Sequence, residues 1–236
     1  MDSPHPNPLP QGEGKTIVIT GATGVLGTLT AKTFAAQGHS LALLGTDQNK
    51  LDVLARNLNL PNERLFTSIV DLRNGPAVQA SAEAVSKKFG TRSVHALFHL
   101  VGGWTGGKTL AETNIEDLDS MLGQHVLTTF HLFHAFSASL AANGWGRVIT
   151  VSPSTTTNPP AKRGVYTATK AAQETLVLTL AQELKESGVT ANIIQVRAID
   201  VDNKGTDTTP AEIVAAMQYL FSEEAGKITG ARIPLY

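Results

Sequence analysis

From Lys15 onward, two patterns of apolar positions alternate along the chain. Short aliphatic and β-branched runs predict strands, and longer stretches with apolar residues three or four positions apart predict helices. The predicted strands are 16–20, 40–44, 65–70, 94–101, 147–151, 190–196 and one near 232–235. The predicted helices are 25–37, 49–58, 75–89, 115–143, 166–187 and 211–222. Strands that alternate with helices in this way are typical of βαβ units and a parallel sheet.

The element order predicts a single doubly wound α/β domain of the Rossmann type over residues 15–236, with a mostly parallel sheet of about seven strands and helices on both faces. Residues 1–14 follow a different pattern, because Pro4, Pro6, Pro8 and Pro10 stand at every second position. Proline removes helix donors and favours an extended residue before it. We therefore expect a disordered or polyproline leader there; the alternative is an arm that packs on a partner subunit.

Composition narrows the class of protein further. The 236 residues are 42% hydrophobic and 17% charged, which is enough apolar material for a folded core. Lys plus Arg is 19 and Asp plus Glu is 20, so no strong field favours nucleic acid or a membrane surface as a partner. With no cysteine, no signal peptide pattern and no apolar run of about 18 residues, the cytoplasm is the expected location.

Three glycines lie where the first strand meets the first helix. Gly21 permits a tight turn, Gly24 lets the backbone approach a phosphate, and Gly27 lets helix and strand pack closely. The N-terminus of a helix in this position binds the pyrophosphate of a dinucleotide. A sharp turn that binds nothing also needs glycines, so the alternative is a structural turn.

Five motifs together resemble the short-chain dehydrogenase/reductase family over Lys15 to Leu235. They are the turn 20–27, Asp71-Leu72, Gly102-Gly103, Tyr166-x-x-x-Lys170 and Ile228-Thr229-Gly230. The resemblance implies hydride transfer with NAD or NADP. The residues it assigns to the cofactor are Gly21, Thr23, Gly24, Val25, Leu26, Gly27, Thr46, Asp71, Leu72, Val101, Gly102, Tyr166, Lys170 and Ile199.

The choice between NAD and NADP depends on the end of the second strand. Gly45 takes the place of the acidic residue that binds a ribose diol, and Thr46 takes the place of a basic residue. Asp47 follows one or two residues late, but its charge still opposes a 2′-phosphate. The sequence therefore leaves both cofactors open and favours NAD.

Tyr166 and Lys170 are four residues apart at the start of a helix, so they share one face. An ammonium beside a phenol lowers its pKa toward the range where proton transfer is efficient. The resemblance implies that Tyr166 protonates the developing alkoxide and that Lys170 also holds the nicotinamide ribose. The alternative is an ordinary solvated helix face.

Several positions depart from the family's pattern. Pro153 stands where the family has the serine that holds the substrate carbonyl, and Ser154 is the preferred replacement over Ser152. His99 and His125 stand at two family asparagines; they serve a modified proton relay or are ordinary buried residues. His131 and His134 lack a third ligand, so no metal is expected. These losses favour an alternative class, a dinucleotide-binding sensor or scaffold with little turnover.

The segment Gly102-Gly103-Trp104-Thr105-Gly106-Gly107 resembles the dihydropteridine-reductase branch of the family, which dispenses with the serine. Trp104 either stacks on a flat ring or anchors its loop. We therefore expect a small carbonyl, alcohol or flat ring-imine substrate.

The long helices 115–143 and 166–187 match those that join subunits in the family, which implies a homodimer or homotetramer. A third hypothesis for the function is a purely structural subunit.

Overall fold

The computed structural model describes residues 14–90, 94–202 and 204–236. The strands are β1 (Thr16–Thr20), β2 (Ser40–Gly45), β3 (Leu65–Ile69), β4 (Val94–His99), β5 (Gly146–Pro153), β6 (Val189–Val196) and β7 (Arg232–Pro234). The α-helices are α1 (Val25–Ala36), α2 (Gln48–Leu58), α3 (Gly75–Phe89), α4 (Ile115–Met121), α5 (Thr128–Ala142), α6 (Gly164–Glu183) and α7 (Pro210–Phe221). The predicted leader 1–14 lies outside the described residues apart from Gly14.

All seven strands belong to one parallel sheet in the order β3-β2-β1-β4-β5-β6-β7. The order reverses direction between β1 and β4, and this point is where doubly wound sheets open a crevice at the carboxyl ends of their strands. The predicted fold class, a single Rossmann-type domain, is confirmed.

Helices cover both faces of the sheet. On one face α1, α2 and α7 pack through residues that include Leu26, Phe34, Leu51, Ile213 and Met217. On the other face α3, α5 and α6 pack through residues that include Val78, Val85, Leu132, Phe136, Val177 and Leu180. Every residue of β1 and of β6 is buried, as expected for parallel strands covered on both sides. The edge strand β3 is only partly buried.

Three central strands are in register near their carboxyl ends, and β5 continues three residues beyond the other two. Thr20 of β1 pairs with His99 of β4, and His99 pairs with Thr150 of β5. At the next pair of strands, Pro153 of β5 lies beside Val196 of β6. The segments that follow these residues therefore meet at one edge of the sheet, directly above the crevice.

The predicted long helix 115–143 is interrupted, which corrects the prediction. A π-helical segment, Leu122–Leu127, separates α4 from α5. The carbonyl oxygen of His125 in this wide turn accepts hydrogen bonds from the Thr129 Oγ1 (2.6 Å) and the Gln173 Nε2 (3.4 Å). These side-chain donors stabilise the irregular turn, and π segments of this kind are frequent at functional sites.

The predicted helix 166–187 also differs in its bounds. It begins two residues earlier, at Gly164, and its last turn is a separate 3-10 turn, Lys185–Ser187. Within the described ranges, no helix has both the length and the apolar character needed to cross a bilayer.

Candidate active site

The turn between β1 and α1 has the backbone that its glycines suggest. Gly21 adopts φ +69°, a conformation that favours glycine. A Cβ on Gly27 would lie 2.2 Å from the Gly21 carbonyl oxygen, so only glycine fits between helix and strand there. Gly24 is the N-cap of α1 and its side-chain position is open, with the nearest atom 3.4 Å away.

No side chain caps the N-terminus of α1, so the first N–H groups of the helix are available to a ligand. A helix N-terminus with free N–H groups and room at Gly24 suits the pyrophosphate of a dinucleotide. The residues present therefore fit the cofactor that the glycine turn predicts.

A cleft of about 590 Å³ runs from this turn across the carboxyl ends of β4, β5 and β6. Its volume is typical of small-molecule sites. Ten of the residues expected at the cofactor line it: Gly21, Gly24, Val25, Leu26, Gly27, Val101, Gly102, Tyr166, Lys170 and Ile199. The fold thus brings together the start of α1 and the Tyr166-Lys170 pair of α6.

Other expected residues do not line the cleft; they are Thr23, Thr46, Asp71, Leu72 and Ser154. The Asp71 carboxylate accepts from the Arg73 Nε (3.0 Å) and Nη2 (2.9 Å), an exposed ion pair. These hydrogen bonds lower the pKa of Asp71. Leu72 is buried, and its carbonyl oxygen accepts from the His131 Nδ1 at 2.9 Å.

Tyr166 is half-buried, and its ring meets the His125 imidazole edge-on, with the ring centroids 5.6 Å apart. Burial raises the pKa of Tyr166, and the nearby Arg163 guanidinium opposes that rise. The expected lowering of this pKa by Lys170 is therefore wrong for this structure. Desolvation of the phenolate outweighs the attraction of the nearby cation.

Lys170 is buried and directs its ammonium at protein acceptors. Its Nζ donates to the Val151 carbonyl oxygen at 2.8 Å and to the Gln173 Oε1. Burial lowers the pKa of Lys170 to about 8, with Glu174 acting in the opposite direction. At pH 7 the ammonium form still predominates, so the cleft keeps this positive charge.

Neither serine beside Pro153 presents its hydroxyl to the cleft. Ser154 is half-buried in a 3-10 turn, Ser154–Thr156, and does not line the cleft. Ser152 does line the cleft, but its Oγ is buried without a hydrogen-bond partner in the structure. Tyr166 is the only other hydroxyl-bearing side chain among the described lining residues.

The two histidines at the family's asparagine positions are buried. His99 contacts the Thr20 Oγ1 through Nδ1 at 2.8 Å, and burial lowers its pKa to about 3. His125 lines the cleft; its Nδ1 lies 2.9 Å from the Thr169 Oγ1 and its Nε2 contacts the backbone of Gly103. Burial lowers the pKa of His125 to about 4, so both rings are neutral at pH 7.

The loop 102–107 needs its glycines for close packing. A Cβ on Gly103 would lie 1.9 Å from the Gln124 Oε1, and one on Gly106 would lie 2.8 Å from Cζ2 of Trp104. Gly107 adopts φ +92° and donates its N–H to the Lys162 carbonyl oxygen at 2.8 Å. The indole of Trp104, 61% exposed, is thereby held at the cleft wall beside the start of α6.

Two cations of the cleft were not expected as site residues. Arg163 and Arg197 both line it, at the N-cap of α6 and just after β6. The signal for Arg163 is its position three residues before Tyr166, close to one helical turn. The described residues contain no group of three or more His, Cys, Asp or Glu that could hold a metal ion.

The chain matches known proteins over almost its whole length. Residues 15–211 match the family described as short chain dehydrogenase. An uncharacterised oxidoreductase of Staphylococcus epidermidis is 27% identical over 194 residues, 82% of each chain. A 3-oxoacyl-[acyl-carrier-protein] reductase of Mycobacterium tuberculosis is 25% identical over 240 residues, 94% of this chain and 91% of the relative.

Solved structures have the same fold. A short-chain type dehydrogenase/reductase from Mycobacterium ulcerans superposes with a TM-score of 0.86 at 20% identity, covering 94% of this chain and 88% of that one. An NAD⁺-bound xylitol dehydrogenase superposes with a TM-score of 0.85 at 20% identity, covering 95% and 98%. The chain belongs to the short chain dehydrogenase family, and the expected enzyme class, an NAD(P)-dependent dehydrogenase or reductase, is confirmed.

Proposed function

We propose that the protein is an NAD(P)H-dependent reductase of a small carbonyl or flat ring-imine substrate, with Tyr166 as the general acid. One observation carries this proposal. A single cleft contains both the uncapped N-terminus of α1, which suits a pyrophosphate, and the phenol of Tyr166. Bound NAD(P)H supplies the hydride in such a reaction.

The Tyr166 phenol gives its proton to the substrate oxygen or nitrogen as the C=O or C=N carbon is reduced. The product is an alcohol or an amine, and the phenolate recovers a proton from solvent. Burial raises the pKa of Tyr166, so the phenol stays protonated at pH 7. A protonated tyrosine is competent for reduction, whereas oxidation of an alcohol requires the phenolate. The raised pKa keeps Tyr166 in the protonated form that reduction requires and also makes it a weaker acid.

The buried Lys170 ammonium supports the site in two ways. Its hydrogen bond to Val151 joins α6 to the end of β5, which positions the helix that carries Tyr166. Its charge also helps to hold electron-rich groups of a ligand within the cleft.

A small substrate fits the loop that follows β6. Ile199 and Thr208 form an isolated bridge that closes the base of this loop. The Asp200 carboxylate accepts from the backbone N–H groups of Lys204 (2.9 Å) and Gly205 (2.7 Å), which compacts the loop further. A compact loop leaves little surface to cover a large substrate.

NAD is the cofactor we favour. Asp47 caps α2 by accepting from the Lys50 N–H at 3.1 Å, which fixes a carboxylate at the end of β2. A negative charge there opposes the 2′-phosphate of NADP. The Lys50 ammonium, 3.7 Å from this carboxylate, only partly neutralises it, because both groups are exposed.

A dinucleotide-binding protein with little turnover is the second candidate. It is favoured by the burial of the Ser152 hydroxyl in the cleft wall and by the hydrogen bonds of Lys170 to Val151 and Gln173. Both observations concern the catalytic step. Neither changes the N-terminus of α1, where the dinucleotide is proposed to bind.

The deciding experiment titrates the protein with NADH and NADPH by nicotinamide fluorescence and then adds isatin, a flat neutral ketone. We expect saturable binding, tighter for NADH, followed by isatin-dependent oxidation. Tyr166→Phe is expected to lower kcat by about 10²- to 10⁴-fold with cofactor binding retained, because it removes only the acid. Tyr219→Phe, at an exposed position on α7, is the matched control.

Binding of cofactor without oxidation of any ketone, quinone or dihydropterin supports the second candidate. Equal activity of the Tyr166→Phe variant and the wild type contradicts the assigned acid. Absence of binding by either dinucleotide contradicts both candidates.

A further inference from the structure

The charges along the cleft are all of one sign. Lys170, Arg163 and Arg197 line it, and no Asp or Glu does so among the described lining residues. A concave site with cations and no carboxylate attracts anionic ligands. The pyrophosphate of the cofactor explains part of this charge, but the three cations lie at different places.

Arg197 follows β6, and its guanidinium lies 5.7 Å from the centroid of the Tyr236 ring. Arg163 lies at the N-cap of α6, near enough to Tyr166 to affect its phenol electrostatically. A cation beside the proton donor lies where the substrate must be. The charge of Arg163 is therefore not accounted for by the cofactor.

Trp104 lies at the same end of the cleft. Its loop is tied to the residue before Arg163 by the hydrogen bond from Gly107 to the Lys162 carbonyl. The indole packs over Gly106 and remains 61% exposed, so one side of it is open to a ligand. Its flat face suits a conjugated ring.

Besides Tyr166, the described lining residues offer no accessible hydroxyl that could fix the substrate carbonyl. Ser152 has a buried Oγ and Ser154 is outside the lining, so orientation of the reacting bond must come from contacts elsewhere on the substrate. Stacking restricts a ring to a plane, and an ion pair with a guanidinium fixes its rotation within that plane. Trp104 and Arg163 can provide these two contacts.

We propose that the substrate is a flat conjugated carbonyl or imine compound that carries a carboxylate, with its ring on Trp104 and its carboxylate on Arg163. Arg163 is then the residue that determines specificity. This inference rests on the proposed reductase function and names the substrate class of that site.

The test compares two probes of nearly the same shape, isatin-5-carboxylate and the neutral isatin-5-carboxamide, with NADH as reductant. For the wild type we expect kcat/KM to be at least about tenfold higher for the carboxylate, because a charge-assisted pair contributes that order of selectivity. Arg163→Gln is expected to remove this preference, so that the carboxylate and the carboxamide are reduced with similar kcat/KM. Lys162→Gln, a neighbouring cation that does not line the cleft, is the matched control and is expected to keep the preference.

A second readout does not need turnover. With NAD⁺ present, isatin-5-carboxylate is expected to quench the fluorescence of Trp104 saturably, and Trp104→Phe is expected to abolish the quench. The other tryptophan, Trp145, lies against Lys15 and Arg147, outside the cleft lining, and serves as the internal reference. Arg163→Gln is expected to weaken the carboxylate titration about tenfold and not the carboxamide titration; thermal unfolding checks that each variant is folded.

The reductase function and the anionic substrate class can be contradicted independently. Reduction of carboxamide and carboxylate at equal rates, or equal loss of both in Arg163→Gln, overturns the anionic substrate class and leaves the reductase intact. Selective quenching by the carboxylate without NADH oxidation supports the anionic site and contradicts the reductase. If the carboxylate shows neither selective quenching nor selective turnover, the inference is overturned.

Discussion

His99 and His125 are imidazoles that the fold keeps neutral. Both are buried among hydroxyl and backbone partners, and their pKa values are lowered to about 3 and about 4 from 6.5. In the unfolded chain the same rings return to a pKa near 6.5. Between these values the unfolded state binds protons that the folded state does not bind. The free energy of unfolding must therefore fall as the pH falls from about 6.5 to about 4.

We expect His99→Asn to flatten this pH dependence by up to about 1.4 kcal/mol per pH unit, since one fewer proton is taken up on unfolding. Urea denaturation at several pH values from 4.5 to about 7 measures the slope. His134→Gln, on the exposed side of α5, is expected to keep the wild-type slope. An unchanged slope in His99→Asn would show that other groups cause the acid sensitivity.

At the scale of elements, the turn between β1 and α1 separates two roles of glycine. Gly27 provides close packing, because a Cβ would overlap the Gly21 carbonyl oxygen at 2.2 Å. Gly24 provides access, because a Cβ there meets nothing closer than 3.4 Å in the protein, but it lies on the helix N-terminus. A substitution at Gly27 therefore tests the packing of the fold, and a substitution at Gly24 tests the binding of the dinucleotide.

We expect Gly27→Ala to lower the free energy of unfolding by about 1–3 kcal/mol, as overpacked sites do. Gly24→Ala is expected to change stability by less than about 0.5 kcal/mol while weakening NADH binding about tenfold or more, since its methyl group blocks the phosphate approach. Chemical denaturation and fluorescence titration of both variants provide the measurements. Equal NADH affinity of Gly24→Ala and wild type would contradict a pyrophosphate at this turn.

At the scale of the whole molecule, several large apolar side chains remain uncovered on the helices that lead to and follow the π segment. Ile115 is 60% exposed on α4, Leu127 ends the π segment at 45%, and Phe130 is 53% exposed on α5. Apolar residues grouped on one surface are typical of interfaces. The homodimer or homotetramer expected from the sequence stays a prediction, and these side chains are candidates for its contact.

We expect Phe130→Asp to shift the protein toward smaller species, because it places a charge in the contact between copies. Sedimentation velocity over a range of concentrations measures the change. Tyr219→Asp, at an exposed position on α7, is the control and is expected to leave the assembly as in the wild type. A wild-type protein that sediments as a monomer throughout would contradict the expected assembly.

The sequence predicted the elements well because their signals are local. The strands around Ile17, Leu43 and Phe98 and the glycines before α1 follow from hydrophobic period and backbone conformation alone. The π segment around His125 escaped prediction, since it depends on Gln173 from another helix. The interrupted helix has the same apolar period as an uninterrupted one.

Sequence alone determined the parallel α/β fold, the family and the four-residue spacing of Tyr166 and Lys170 on one helix, because periodicity and motif spacing are properties of a short stretch of chain. Tertiary structure decided the environment of those residues. Burial raises the pKa of Tyr166 against the expected direction, and it directs Lys170 at Val151. It also places Arg163 in the cleft. Desolvation and contacts between distant segments depend on packing, which no local pattern encodes.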